Sequence, residues 1–321
     1  MRLVSRQLLS RKLALNLKVR LDYKFSLPSG EHQPAPPGVS PMGGGRGLAI
    51  IFPLGKHPEG VFMLWLSPFI TVYCSVLAAL LGACVASFLN CFSWRIVHGE
   101  SVLKGRSHCD ECGHVLSFRD LIPVFSYIFS HGKCRYCGKK LSSRHVWGEV
   151  IGGAVFVMAL FRFDISLQLL EAWVLASLLL ACAFADLEGY IIPDRFIVCG
   201  IALFGLSFIW QTDRLDRLIN GALGGIAVPA VLYIVVLVIE KRIGREAMGG
   251  GDIKLLAVTG LFLGWMGNFL CLILACIFGI ITGIASGKRD EPIPWGPSIA
   301  AAAWLTYMYG GIVIDWYLSL F

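Results

Sequence analysis

Residues 165–185 read ISLQLLEAWVLASLLLACAFA, and residues 186–194 continue DLEGYIIPD. The first run is almost wholly apolar and matches the ~20 residues that cross a bilayer as a helix. Working outward, Arg217–Glu240 is a second run of similar length and character. Across 321 residues, 56% are hydrophobic and only 15% charged, and the mean hydropathy is +0.70. Ordinary soluble chains carry about a quarter charged residues. These values exclude a soluble enzyme, a fibrous protein and a disordered one. The chain reads as a polytopic membrane protein.

Eight candidate spans follow from residue 63 onward: approximately 66–94, 146–161, 165–185, 196–210, 218–239, 253–266, 268–286 and 297–316. The sixth is short and flanked by glycine, so it is expected to tilt, enter part way or sit under a thinned bilayer. Gly-x-x-x-Gly spacings such as Gly221/Gly225 predict close helix packing. No internal repeat is evident.

Orientation comes from lysine and arginine counts. The segment Arg95–His145 holds nine Lys/Arg, which places it in the cytoplasm. The loops at 186–195, 240–252 and 288–289 then also face the cytoplasm, and both termini lie outside. The net charge of +7 is concentrated in residues 1–62, where nine Lys/Arg face three acids. A basic balance of this kind reflects a tail and cytoplasmic loops, so nucleic acid is not expected as a partner. That tail has two readings. One is a basic amphipathic helix over Arg2–Lys24 followed by a Pro/Gly-rich linker at 27–45; the other is a non-native extension, with Met63 as a plausible start. The second is favoured, because the first leaves nine positive charges on the outer side.

The expected architecture is therefore an all-α polytopic membrane protein with about eight transmembrane helices. Residues 1–62 form the extension, 63–94 the first transmembrane helix, 95–145 a small cytoplasmic cysteine-containing loop domain, and 146–321 the main transmembrane domain.

Seven of the eleven cysteines lie in apolar runs, where cysteine behaves as a small hydrophobe. The other four form Cys109-x-x-Cys112 and Cys134-x-x-Cys137, separated by 21 residues. In a reducing compartment this spacing points to a metal clasp rather than disulfides. Four thiolates satisfy tetrahedral Zn²⁺ with no open position, so the expected zinc is structural.

Asp186 ends the third span and Asp252 begins the sixth, 66 residues apart, yet the charge-derived topology puts both at cytoplasmic helix ends. Two carboxylates at one depth can share a proton and act as an aspartic protease dyad, one activating water while the other hydrogen-bonds the scissile carbonyl. Gly249-Gly250-Gly251, just before Asp252, removes side chains where a substrate backbone would approach. No Ser-His or Cys-His pairing is visible in the spans.

These residues resemble the type IV prepilin peptidases, a family of Gly-x-Gly-Asp membrane aspartic proteases. The resemblance is carried by Gly249–Asp252, by Asp186 with Ile192-Pro193-Asp194, and by Ser87-Phe88-Leu89-Asn90 with Arg95. Further along the same order come Arg106-Ser107 with the first cysteine pair, Ile122-Pro123, Gly132–Cys137, Ser142-Ser143-Arg144 with Glu149, and Pro294-Trp295-Gly296-Pro297. Asp110, Trp295 and Ala86 depart from the family's usual proline, phenylalanine and glycine, and none touches the aspartates.

The resemblance implies Asp186 and Asp252 as catalytic residues, with Gly249, Gly250, Gly251 and Glu149 near the substrate. Glu149 has a second reading, as an interfacial partner of Arg144. The implied activity is removal of a short basic leader from prepilins or pseudopilins at the cytoplasmic face of the bacterial inner membrane. A second implied activity is N-methylation of the new amino terminus with S-adenosylmethionine, for which the residues themselves show no cofactor fingerprint. Expected partners are the substrates and the lipid bilayer, with homodimerisation left open. The rival reading is a proton-coupled polytopic transporter with a zinc-stabilised cytoplasmic loop.

Overall fold

The computed structural model describes residues 67–101, 105, 107–109, 111–209, 214–244, 248–287 and 293–320. The chain divides into two units, Met1–Leu54 and Gly55–Phe321, and every described residue lies in the second. The two readings of residues 1–62 fall outside the described residues.

Among the described residues there is no strand, and the elements are helices: α1 (Pro68–Val97), α2 (Phe125–Phe129), α3 (Ser143–Phe163), α4 (Leu167–Gly189), α5 (Asp194–Ser207), α6 (Arg214–Ile243), α7 (Gly250–Ser286) and α8 (Gly296–Leu318). Their boundaries follow local chemistry. Pro68 and Pro297 occupy first-turn positions, where the missing N–H costs nothing. The Ser166 hydroxyl accepts from the Leu169 amide at 3.2 Å to cap α4. That helix ends where Tyr190 turns left-handed (φ 54°) and its amide closes back on the Asp186 carbonyl at 2.9 Å. Pro193 then bars helix until α5 begins.

Six helices are long and apolar enough to cross a membrane: α1, α3, α4, α6, α7 and α8. All eight expected apolar segments are helical, but two features alter their bookkeeping. The fourth segment, α5, has 14 residues and a length of ~21 Å, short of the ~30 Å hydrocarbon core. The sixth and seventh are the two arms of α7, which runs through a non-helical Gly264 (φ 70°, ψ 179°). A straight helix would hold residues 256 and 268 ~18 Å apart. Instead the Asn268 amide donates to the Leu256 carbonyl at 3.0 Å, and Thr259 Oγ1 donates to Asn268 Oδ1 at 3.2 Å. The chain therefore doubles back at Gly264. Glycine is required there because a side chain is strained at that φ.

Lipid offers no hydrophobic drive between helices, so close packing has to come from small residues. A Cβ on Gly224 would lie 2.5 Å from the Gly260 carbonyl oxygen, and Gly221 and Gly225 meet Leu261 and Ala257 in the same seam. This zips α6 to the first arm of α7. Gly82 and Gly152 do the same for α1 and α3. The most buried helix is α4, which packs on α1, α3, α5 and α8.

Candidate active site and metal centre

Asp186 sits in the last turn of α4 and is 5% exposed. Its Oδ2 accepts from the backbone amide of Gly296, the first residue of α8, at 2.7 Å. Asp252 sits in the first turn of α7; its Oδ1 is buried and meets no hydrogen-bond donor on the protein. The connection between α4 and α5 brings the two together. Ile192 is buried against Gly251, and Asp194 pairs with Lys254 at 2.6 Å. Farther along, Gly200 of α5 packs on Val258 of α7. These contacts bring the two carboxylates to the same end of the bundle, on either side of the α4–α5 connection. Each also faces a helix N-terminus, Asp186 that of α8 and Asp252 its own, where unpaired N–H groups stabilise negative charge.

Gly249 lies beside Asp252, with a Cβ position 3.5 Å from Oδ2; Gly250 has open space around it, and Gly251 touches Ile192. Glu149 stands elsewhere, on α3, where its Oε2 accepts the Val124 amide at 2.7 Å. Arg144 pairs with Glu188 at 2.5 Å. Glu149, Glu188, Asn90, Trp94, Tyr127 and Tyr136 are among the walls of a cavity of about 270 Å³ between the cysteine loop and the ends of α1, α3 and α4.

The loop carries two like turns. In one, the Cys109 amide donates to the His114 carbonyl at 3.0 Å and the Gly113 amide to the Cys109 carbonyl at 2.8 Å; in the other, Cys134 and Lys139, then Gly138 and Cys134, do so at 2.8 and 2.9 Å. Gly113 and Gly138 both take positive φ, 68° and 72°. The result brings the sulfurs of Cys109, Cys112, Cys134 and Cys137 within 4.8 Å of one another. Tetrahedral Zn²⁺ with Zn–S near 2.3 Å needs S···S of about 3.8 Å, so the donor set fits the ion. Amide hydrogen bonds from Cys137 and Tyr136 lower the Cys134 thiol to about 7. The Lys139 amide favours a Cys137 thiolate, but burial and the three neighbouring sulfurs push that thiol up to about 11. Four thiols so placed resist joint ionisation unless a cation joins them. Beside them Asp120 caps a short turn: burial acts to raise it, yet hydrogen bonds from the Ser117 hydroxyl and amide and from Tyr136, with the Arg135 charge, hold its carboxyl below the usual range.

Several structural features escaped the sequence reading. The motif Pro294–Pro297 marked Gly296, but its contact is a backbone amide that no side-chain pattern announces. Glu171, 2% exposed near the start of α4, pairs with Arg217 of α6. A lone acid inside an apolar run was its available signal. Asn268, fully buried, also donates to the Gly224 carbonyl at 2.9 Å.

A multi-pass helical bundle with two carboxylates at one end and a four-cysteine loop beside it defines a membrane protein of aspartic-protease type. Residues 80–163 match the Bacterial Peptidase A24 N-terminal domain, and residues 173–284 match the Type IV leader peptidase family. The chain is 33% identical over 247 residues to the prepilin leader peptidase/N-methyltransferase of Bacillus subtilis, covering 74% of this chain and 96% of that protein. Proteins of the same name from Myxococcus xanthus and Dichelobacter nodosus are 36% and 31% identical, over 70% and 80% of this chain and 70% and 93% of theirs. No solved structure matches. The chain belongs to the type IV leader peptidase family. The transporter reading finds no support: Asp186 and Asp252 lie at helix ends, and the buried Glu171 is ion-paired.

Proposed function

We propose that this chain is a membrane-embedded aspartic endopeptidase that removes the short basic leader of prepilins or pseudopilins, with Asp186 and Asp252 as its catalytic pair. The observation that carries the reading is the packing that draws two carboxylates 66 residues apart in the chain to one end of the bundle, with Ile192, six residues after Asp186, seated on Gly251 next to Asp252. The pair shares one proton. The ionised carboxylate takes a proton from water as its oxygen attacks the scissile carbonyl carbon, and the protonated one hydrogen-bonds the carbonyl oxygen. The Gly296 amide orients Asp186 throughout. Collapse of the tetrahedral intermediate breaks the C–N bond, and the leaving amine takes a proton from the pair. Gly249 and Gly250 leave room for the substrate backbone beside Asp252.

On this reading residues 63–94 supply the first transmembrane helix, 95–145 the cytoplasmic domain and 146–321 the peptidase domain. The enzyme sits in the bacterial inner membrane with its site at the cytoplasmic face, as the nine Lys/Arg of Arg95–His145 support. Zinc, held by Cys109, Cys112, Cys134 and Cys137, supplies the cross-link for a loop too small to build its own core. The relatives' name supports a second step, N-methylation of the new amino terminus, for which S-adenosylmethionine supplies the methyl group. The cavity walled by Trp94, Tyr127, Tyr136 and Glu149 is our reading of the donor's place.

The test is cleavage of a prepilin by detergent-solubilised protein, followed by mass spectrometry of the product. Leader loss by the intact protein and none by Asp186→Asn or Asp252→Asn is expected, with the product one methyl heavier when the donor is added. Full processing by either variant overturns the dyad.

A further inference from the structure

Glu171 lies fifteen residues before Asp186 on α4, about 22 Å away at the opposite end of the helix. Burying a carboxylate inside a membrane bundle is costly, and an apolar residue there would be cheaper. Its charge is met by Arg217 near the start of α6, the end of that helix remote from the Asp252 loop. Tyr307 of α8 adjoins the pair, and the Arg217 guanidinium stands 5.7 Å from the Phe204 ring of α5. Four helices therefore meet at this pair.

The helices α4 and α6 share no extensive packing otherwise. Instead α6 is zipped to the first arm of α7, the arm that carries Asp252, while α4 carries Asp186. From these contacts we infer that Glu171 is a positioning residue: its ion pair with Arg217 pins the Asp186 helix to the Asp252 helix pair at the end far from the reaction. The inference rests on the peptidase reading above. Its leverage is large. A tilt of about 5° about the pair moves a carboxyl ~22 Å away by about 2 Å, and misplacement by ~1 Å can cost 10²-fold in rate.

The experiment compares prepilin cleavage by the full chain, Glu171→Gln, Tyr307→Phe and Asp186→Asn in detergent, on protein with an unchanged unfolding midpoint. Glu171→Gln is expected to lower kcat 10- to 100-fold at constant KM and to narrow the pH range of activity, because separated carboxylates no longer share a proton. Tyr307→Phe, the milder change, is expected to lower kcat 3- to 10-fold. A kcat within two-fold of the parent in folded Glu171→Gln, or in Tyr307→Phe where the former does not fold, overturns the inference.

An activity-independent readout separates this from failure of the peptidase reading. Cross-linking of Asp186→Cys/Asp252→Cys, mapped by mass spectrometry, is expected to fall several-fold when Glu171→Gln is added; an equal yield overturns the inference even if no peptide is cleaved by any form.

Discussion

The backbone amide of Gly296 donates to Asp186 Oδ2 at 2.7 Å, joining residues 110 positions apart. A Cβ built on Gly296 would lie 2.8 Å from that oxygen and 2.9 Å from the Asp186 Cβ. Glycine is thus what lets α8 begin against the carboxylate. Gly296→Ala is expected to lower the rate of leader cleavage about 10- to 100-fold, since the side chain has to move by a few tenths of an ångström or more to clear the methyl. Single-turnover cleavage assays on folded variant protein check this, and parental rates would contradict it.

Two carboxylates that act as one unit should fail as one unit. Asp186→Asn and Asp252→Asn are each expected to lower kcat by more than about 10³, with the double variant no slower than either single one. The pH–rate profile of the parent is expected to be bell-shaped. Activity falls on the acid side as the ionised carboxyl gains a proton, and on the alkaline side as the protonated one loses its proton. A measured rate for the double variant that equals the product of the two single losses would speak against a shared mechanism.

Metal analysis of the purified chain is expected to find one zinc per molecule, bound by Cys109, Cys112, Cys134 and Cys137. Cys134→Ser or chelation is expected to raise hydrogen exchange across residues 107–141 while leaving α4 and α7 protected, because few of the loop's apolar side chains are buried. Acid releases the metal as protons compete for the thiolates. A loop equally protected without metal would show that the clasp is dispensable.

Asp120 makes the loop acid-sensitive by a separate route. Its carboxyl lies below the ordinary range, held there against desolvation by Ser117, Tyr136 and Arg135. A depressed folded-state value means that the stabilisation is full at neutral pH and is lost as pH falls through and beneath the usual carboxylate range. Asp120→Asn is expected to destabilise the loop by about 1 kcal/mol at neutral pH, the worth of one cap, and by less at low pH. Hydrogen exchange of residues 117–136 at both pH values measures this; an equal effect at both would assign Asp120 a role independent of charge.

What the sequence determined by itself is what depends on neighbours along the chain. Apolar run length is a local property, so each of the eight expected segments is largely helical among the described residues. The Cys-x-x-Cys spacing is equally local: each pair with its following glycine closes its own turn, and the four-sulfur cluster follows. Lysine and arginine counts, also local, lead to the expectation that Asp186 and Asp252 share one level. Tertiary structure decided the rest. The reversal at Gly264 joins two segments into one folded-back element, because Asn268 finds its acceptors on Leu256 and Gly224. Arg144 pairs with Glu188 and Glu149 takes a backbone amide, choices settled by which helix ends adjoin. Gly296 presents an N–H that every non-proline residue owns, and Glu171 meets Arg217 46 residues away. Such partners are fixed by which helices pack together, and packing is a property of the whole bundle rather than of any stretch within it.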